Sequence, residues 1–202
     1  MRFIETLLIK DSIQNLLYHN IRMNTTRAIF FGKAPIDLKD FIDIKKNTRC
    51  RVLYDEEIIK IEYFNLVPRK FKKFKIVYSD IEYNFKYENR EKLNNLKTDG
   101  YDEIIIVKNG LITDTTISNL AFFDGKEWFT PDTPLLEGTK RMELLEKGMI
   151  KEKKIKIEDL NRYKKIAMLN AILGFYEINQ FEIDVIWKKK LLNQIFFLSF
   201  YQ

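Results

Sequence analysis

The stretch from Tyr101 to Arg141 constrains the fold more than any other part of the chain. Its apolar, β-branched run from Ile104 to Val107 predicts a buried strand. Asn109-Gly110 is the strongest short-range signal for a hairpin, and Asp124-Gly125 predicts a second turn. Gly138 to Arg141 predict a helix start, where unpaired backbone N–H groups favour an anion, above all phosphate. We therefore expect hairpins that lead into an anion-binding turn.

Length and composition favour a soluble, globular chain with one domain or two small ones. The chain has 202 residues, of which 46% are hydrophobic and 32% are charged. No apolar run approaches the ~20 residues that cross a bilayer, and Met1 leads directly into strand-like residues. We therefore expect neither a membrane partner nor a signal peptide. The single cysteine, Cys50, excludes an internal disulfide and favours a reducing, cytoplasmic location.

The net charge of +6 raises the question of a polyanionic partner. The lysines are spread along the chain, however, and the densest basic cluster, from Arg69 to Lys73, is interpreted as a solvated strand start. No nucleic-acid partner is therefore expected. His19 is the only histidine, which excludes a multi-histidine metal site, and no metal is predicted.

The remaining periodicities predict an α+β chain. Strands are expected over Phe3 to Ile9 and Asn15 to Tyr18, and a helix over His19 to Phe31 that stops at Gly32. The other predicted strands span Thr48 to Tyr54, Ile58 to Leu66, Phe74 to Tyr78, Met149 to Ile157 and Ile166 to Leu169. An aromatic tail runs from Lys188 to Gln202. The tail is interpreted as a docked core strip or a dimer strip.

Asp114, the turn from Gly138 to Arg141 and Lys86 together resemble the core signature of fold-type IV pyridoxal-phosphate enzymes. Asp114 lies in ITDTTISNL, the turn lies in LLEGTKR, and Lys86 opens the pattern Lys-x-x-Asn-Arg. The resemblance implies that Asp114 faces the pyridine nitrogen and that the turn cradles the phosphate. It also implies that Lys86 carries pyridoxal 5'-phosphate covalently. Aspartate is one methylene shorter than the glutamate common in the family, so ring and strand are expected to lie closer together.

The beginning of the chain also resembles this family. Ile4-Glu5-Thr6 matches a Phe-Glu-Thr-like strand, and His19-Asn20-Ile21-Arg22 matches His-x-x-Arg on the first helix. The resemblance assigns Arg22 to the cofactor phosphate and Thr6 to the substrate. A strand and a glycine-rich loop that usually precede this strand in the family have no counterpart here, which affects the expected substrate pocket. The implied fold has an N-terminal α/β sandwich (residues 1–83) and a C-terminal pseudo-barrel (84–202), and the family usually forms homodimers.

Asn170-Ala171-x-x-Gly174 resembles the 4-amino-4-deoxychorismate lyase branch. This branch of the folate pathway converts 4-amino-4-deoxychorismate to 4-aminobenzoate and pyruvate. The alternatives are a class IV aminotransferase acting on branched-chain or D-amino acids, and a degenerate non-enzymatic relative. The expected cofactor-binding residues are Arg22, Lys86, Asp114, Ser118, Asn119, Gly138, Thr139, Lys140, Asn170 and Ala171.

Lys86 and Thr6 are the expected catalytic residues. Lys86 would act as the base once the small-molecule amino substrate has displaced it, which requires a neutral amine and hence a lowered pKa. Thr6 could relay a proton or be an ordinary strand residue. An aminotransferase would also need a carboxylate site for its second substrate, and no clear arginine pair is evident for one. Arg49 and Arg51 alternate on one strand and face either the pocket or solvent.

Overall fold

The computed structural model describes residues 1–184 and 198–199, which form an α+β fold. The strands are β1 (Phe3–Ile9), β2 (Thr48–Tyr54), β3 (Ile58–Asn65), β4 (Lys73–Tyr78), β5 (Glu103–Lys108), β6 (Leu111–Ile112), β7 (Asn119–Phe123), β8 (Trp128–Pro131), β9 (Lys151–Lys153), β10 (Lys165–Asn170), β11 (Gly174–Ile178), β12 (Glu182–Asp184) and β13 (Leu198–Ser199). The helices are α1 (Leu16–Phe31), α2 (Glu91–Asn94) and α3 (Thr139–Glu146), and 3-10 helices span Leu38–Asp40 and Ile157–Arg162. Strand pairing joins the described strands into three sheets, with the orders β1-β2-β3, β11-β10-β7-β8-β9 and β13-β12-β4-β5-β6.

The small sheet is antiparallel and packs against α1. Phe3, Leu7 and Ile9 lie on one face of β1 and join Met23 of α1 in a buried core. Thr6 lies on the opposite face, because successive strand residues point to opposite sides. Glu5 shares the core face and is fully buried, although a carboxylate is rarely found there without a partner.

Helix α1 begins earlier than the sequence predicts. Asn15 adopts a left-handed conformation with φ 60°, which asparagine tolerates better than most residues, and the helix starts at Leu16. The predicted strand from Asn15 to Tyr18 is therefore wrong. The predicted stop is confirmed, because Gly32 has φ 63° and its N–H donates to the carbonyl oxygen of Ala28 at 3.0 Å.

The two larger sheets share one core. Phe74 and Ile105 of one sheet pack with Phe122 and Met168 of the other. Strand β4 pairs in parallel with β5 and β12, although it lies on the N-terminal side of the predicted boundary at residue 83. Hydrogen bonding therefore groups β4 with the later strands, while the division into two domains stays a prediction.

The hairpin at Asn109-Gly110 is confirmed. Both residues have positive φ, at 51° and 78°, as a type I′ turn requires, and Lys108 pairs with Leu111 across it. The predicted strand from Met149 to Ile157 is too long, because regular pairing is confined to β9. Just beyond it the Asp159 carboxylate accepts a hydrogen bond from the backbone N–H of Lys156 at 3.1 Å, and the chain turns into a 3-10 helix.

Three further expectations concern a membrane partner, the end of the chain and the oligomer. Among the residues described, no helix is long and apolar enough to cross a membrane. The predicted aromatic tail lies outside the described part of the chain, apart from β13. The homodimer stays a prediction.

Candidate active site

A cavity of about 540 Å³ is lined by residues of the small sheet, of β7 and β10, and of the helices and loops beside them. Ten of the eleven predicted site residues line it, and they come from distant parts of the chain. These residues are Thr6, Arg22, Lys86, Asp114, Ser118, Asn119, Gly138, Thr139, Asn170 and Ala171. The eleventh, Lys140, is not among the lining residues, because its Nζ donates to Glu143 Oε2 at 2.8 Å.

Lys86 lies in the segment between β4 and α2 and is attached to β1 through the backbone. Its carbonyl oxygen accepts a hydrogen bond from the N–H of Ile4 at 2.9 Å, and the backbone N–H of Glu88 donates to the carbonyl oxygen of Arg2 at 3.0 Å. Burial of the ammonium group lowers the pKa of Lys86 to about 7, and the positive charges of Arg22 and Arg90 add to this effect. A large fraction of the amine is therefore neutral near pH 7, as a nucleophile or base requires.

A buried ionic cluster holds Arg22 at the cavity wall. Its Nε and Nη2 donate to the two carboxylate oxygens of Glu5 at 2.9 and 2.6 Å, and His19 Nδ1 lies 2.6 Å from the second oxygen. Burial opposes the negative charge, but Arg22 and His19 lower the pKa of Glu5 to about 2. Burial lowers the pKa of His19 despite Glu5. The cluster is thus a charged Glu5–Arg22 pair with a neutral imidazole.

The start of α3 lies beside Arg22. Arg22 Nη1 donates to the carbonyl oxygen of Glu137 at 3.2 Å, next to Gly138, which caps the helix. Because the first N–H groups of a helix have no partner inside it, this end attracts an anion. Gly138 is required here, since an ideal Cβ would lie 1.9 Å from Asn119 Oδ1. A guanidinium and a helix N-terminus therefore converge on one end of the cavity.

Arg141 supports this turn from outside the cavity. It is 1% exposed, and its Nη1 donates to Glu137 Oε2 at 2.8 Å. Its Nη2 donates to the carbonyl oxygen of Pro131 at 2.9 Å and to Glu152 Oε1 at 2.6 Å. Arg141 is not among the residues that line the cavity, so it acts by positioning Gly138 and Thr139.

Asp114 occupies a second polar position in the wall, between β6 and β7. Its Oδ1 accepts from Asn119 Nδ2 at 2.8 Å, and its Oδ2 accepts from the N–H groups of Leu135 and Leu136 at 2.9 and 3.0 Å. Burial nevertheless raises the pKa of Asp114 to about 7. Oδ2 already accepts two donors, whereas Oδ1 accepts one and keeps a further acceptor site, so the carboxylate can still receive a donor from the cavity.

Ser118 and Asn170 are brought together by a pair of turns. Thr115 Oγ1 accepts from the N–H of Ser118 at 3.0 Å. Asn170 Oδ1 accepts from the N–H groups of Ile172 and Leu173 at 2.9 and 2.7 Å, and its Nδ2 donates to the carbonyl oxygen of Ile117 at 3.2 Å. Asn170 therefore joins the β10–β11 turn to the loop before β7.

Sequence reasoning left several lining or supporting residues without a role. Glu5 and His19 stood in the quoted motifs without an assignment, although a glutamate on the apolar face of β1 signals a buried charge pair. Arg90 closes the Lys-x-x-Asn-Arg pattern and donates to the carbonyl oxygen of Thr116. Arg49 lines the cavity, whereas Arg51 pairs with Glu62 at 2.8 Å.

The sequence matches a known protein family over most of its length. The family described as Amino-transferase class IV matches residues 4–181, which is most of the chain. The chain belongs to this family.

Among relatives, an uncharacterized protein of Haemophilus influenzae is 37% identical over 182 residues, 84% of this chain and 97% of the relative. The crystal structure of a proposed 4-amino-4-deoxychorismate lyase from Haemophilus somnus 129pt is 34% identical, with a TM-score of 0.80. It aligns with 86% of this chain and 97% of its own. A hypothetical aminotransferase from Mycobacterium tuberculosis in its PLP-bound form shares the fold, with a TM-score of 0.70, 16% identity, and coverage of 89% of this chain and 81% of its own. The resemblance found in the motifs is thereby confirmed at the level of the family.

The residues of this member of the class IV family fit the cofactor that its relatives bind. The Gly138 turn approaches Asn119 too closely for any side chain, which suits a backbone cradle, and Arg22 supplies a fixed positive charge beside it. Lys86 offers an amine and Asp114 a buried acceptor in the same cavity. Within the described residues, no cluster of histidine, cysteine, aspartate or glutamate could hold a metal ion.

Proposed function

We propose that this chain is a pyridoxal-phosphate-dependent lyase that converts 4-amino-4-deoxychorismate to 4-aminobenzoate and pyruvate. The observation that carries the cofactor assignment is Lys86, whose lowered pKa and place in the cavity suit covalent attachment. The choice of lyase is supported by 34% identity to the proposed Haemophilus somnus lyase and by the Asn170-Ala171-x-x-Gly174 segment.

Different residues would bind the phosphate and the ring of the cofactor. Arg22, Gly138 and Thr139 would bind the phosphate, because a guanidinium fork and free backbone N–H groups both suit phosphate oxygens. Asp114 would accept a hydrogen bond from the protonated ring nitrogen. When bound, pyridoxal phosphate supplies an electron sink for the carbon that bears the substrate amine.

Lys86 and Thr6 would move the protons. Neutral Lys86 would take the proton from the amine-bearing carbon, and the C–O bond to the enolpyruvyl group would then break as the ring becomes aromatic. The departing enolpyruvyl group needs one proton to become pyruvate. Thr6 lines the cavity on the same strand that anchors the Lys86 backbone, and its hydroxyl would relay that proton.

A class IV aminotransferase is the second candidate. The observation that favours it is the presence of Arg49, Arg69 and Arg90 in the cavity wall, since an aminotransferase would need a carboxylate site for its second substrate. The same arginines suit the carboxylates of 4-amino-4-deoxychorismate, so they do not decide between the two reactions. A degenerate relative is the third candidate, and the intact Lys86 and Arg22 argue against it.

The test is turnover without a second substrate. Holoprotein incubated with 4-amino-4-deoxychorismate should release pyruvate and 4-aminobenzoate in equal amounts, with no 2-oxo acid present. A Lys86→Ala variant serves as the inactive control. Turnover that depends on an added 2-oxo acid and returns an amino acid would establish the aminotransferase instead.

A further inference from the structure

The arginines of this chain form two groups, those with a carboxylate within 4.0 Å and those without one. All nine lie within residues 1–184, and six have an acidic side chain within 4.0 Å. These six are Arg2, Arg22, Arg27, Arg51, Arg141 and Arg162. The other three have no such partner among the described residues, and all three line the cavity. These three are Arg49, Arg69 and Arg90.

Arg90 is already engaged with protein groups. Its Nη2 donates to the carbonyl oxygen of Thr116, and its guanidinium lies 5.9 Å from the ring of Tyr83. Among the described residues, neither the Arg49 nor the Arg69 guanidinium donates a hydrogen bond to a protein group. Two guanidinium groups in the cavity wall therefore keep their donors available for a ligand.

Aromatic rings hold both of these arginines in place. The guanidinium carbon of Arg49 lies 4.6 Å from the ring centroid of Phe64, and that of Arg69 lies 4.9 Å from the ring centroid of Phe71. Both rings line the cavity. Stacking on an aromatic face orients the planar guanidinium and leaves its N–H edge exposed.

The strand register places Arg49 on the substrate side of the small sheet. Thr6 pairs with Arg51 across β1 and β2, and Leu8 pairs with Arg49. Cross-strand partners share one face, and residues two apart share it as well. Arg49 therefore faces the same side as Thr6. Arg51 also does so but is neutralised by Glu62, which leaves Arg49 as the available charge on this face.

The positive groups of the cavity form two separate sets. The Arg22 side chain is 11% exposed and Thr139 at the start of α3 is buried, whereas Arg49 and Arg69 are exposed, as is Val67 at 77%. We propose that Arg49 and Arg69 form a carboxylate clamp at the solvent end of the cavity. The clamp would select amines that carry a carboxylate remote from the nitrogen. This inference rests on the proposed function in one respect, namely the identity of the acid that is the natural substrate.

The test compares two ligands of the same shape that differ in charge. 4-Aminobenzoate carries a carboxylate, and 4-aminobenzamide carries a neutral amide in its place. Titration of the holoprotein should show that the acid binds about tenfold more tightly than the amide. Arg49→Gln and Arg69→Gln should each weaken binding of the acid by roughly tenfold, toward the lower end of a charge-assisted contact because both residues are exposed. Neither variant should change binding of the amide or the absorbance of the cofactor.

Arg162→Gln is the matched control, because Arg162 pairs with Asp159 on the protein surface and is absent from the cavity wall. It should bind both ligands like the wild type, and Arg49→Lys should recover part of the loss. Equal binding of acid and amide by the wild type overturns the clamp, as does an equal loss for both ligands in the glutamine variants.

The outcome is separable from that of the proposed lyase activity. Pyruvate release by the wild type, together with unaltered acid binding in both glutamine variants, would sustain the lyase and reject the clamp. Selective loss of acid binding in a protein that releases no pyruvate would sustain the clamp and reject the lyase.

Discussion

Glu5 and Asp114 are two buried carboxylates near one cavity, and their surroundings shift their pKa values in opposite directions. Burial opposes the negative charge on both. Glu5 lies against the Arg22 guanidinium, and its pKa falls to about 2. Asp114 receives three hydrogen bonds from neutral groups, and its pKa rises to about 7.

The difference shows what each site lacks. A full positive charge at hydrogen-bond distance compensates for lost hydration, whereas neutral dipoles compensate only in part. The negative charge of Glu5 is therefore balanced by Arg22, and Glu5 holds the guanidinium in place. The Asp114 site feels the charge of Arg141 but has no positive group at hydrogen-bond distance, so it would gain most from a cationic ligand group, such as a protonated ring nitrogen.

Removing the Glu5 charge should have the largest effect. Glu5→Gln would leave the Arg22 guanidinium buried without its counter-charge, and loss of one partner of a buried pair costs about 3–5 kcal/mol. We expect the free energy of unfolding of the cofactor-free protein to fall by about 3 kcal/mol in urea titrations. Glu62→Gln is the control, because its partner Arg51 is 28% exposed and such pairs contribute about 1 kcal/mol or less. Equal losses in the two variants would contradict the comparison.

Removing the Asp114 charge should act on turnover. Asp114→Asn keeps the shape and loses the charge that would retain the proton on the ring nitrogen, and a buried opposite charge shifts a partner by roughly one to three pKa units. Turnover should therefore fall by roughly a hundredfold while the cofactor stays bound. Asp114→Glu should retain much of the activity. Full turnover in Asp114→Asn would show that the ring need not be protonated or that another carboxylate serves it.

Substitution of Arg22 tests whether the guanidinium that Glu5 holds binds the cofactor phosphate. Arg22→Ala removes a charge-assisted contact to phosphate of roughly 1.5–3 kcal/mol, so the dissociation constant for pyridoxal phosphate should rise about ten- to a hundredfold. Arg22→Lys should recover only part, since an ammonium replaces a planar fork. Unchanged affinity in both variants would place the phosphate elsewhere.

The two carboxylates should also make opposite contributions to the pH dependence of stability. The folded-state pKa of Asp114 lies above the ordinary value, so the folded protein binds more protons than the unfolded chain between about pH 4 and pH 7. The contribution of Asp114 therefore falls as pH rises across that window. Glu5 does the opposite, because its contribution grows as pH rises from about 2 to 4.5.

Urea titrations of cofactor-free wild type and Asp114→Asn isolate this effect. The difference in their free energies of unfolding should change by roughly 1 kcal/mol per pH unit between about pH 4 and pH 7. Parallel curves would show that the pKa of Asp114 is not raised.

Local signals predicted much of the fold and most of the candidate site. The Asn109-Gly110 turn and the Gly32 helix stop depend on neighbouring residues, and the structure confirms both, whereas the roles assigned to the motif around Asp114 stay predictions. The start of α1 was missed because it depends on the left-handed conformation of Asn15. The cofactor-binding role of Lys140 stays a prediction, and its side chain turns to Glu143 within the same helix.

Long-range partners could not be predicted from a single chain. Glu5 and Arg22 are 17 residues apart, and Asp114 and Leu136 are 22 apart. Nothing in either local sequence specifies which partner the fold will supply. The pairing of β4 with β12, far along the chain, is likewise a property of the assembled sheet.

The central claim is that Lys86 carries the cofactor, and borohydride reduction of the holoprotein tests it most directly. The purified protein, incubated with pyridoxal phosphate, should be yellow. Reduction followed by peptide mass analysis should place one pyridoxyl group on Lys86, and Lys86→Arg should show none. Colourless protein after incubation, or a label distributed over surface lysines with Lys86 unmodified, would contradict the account.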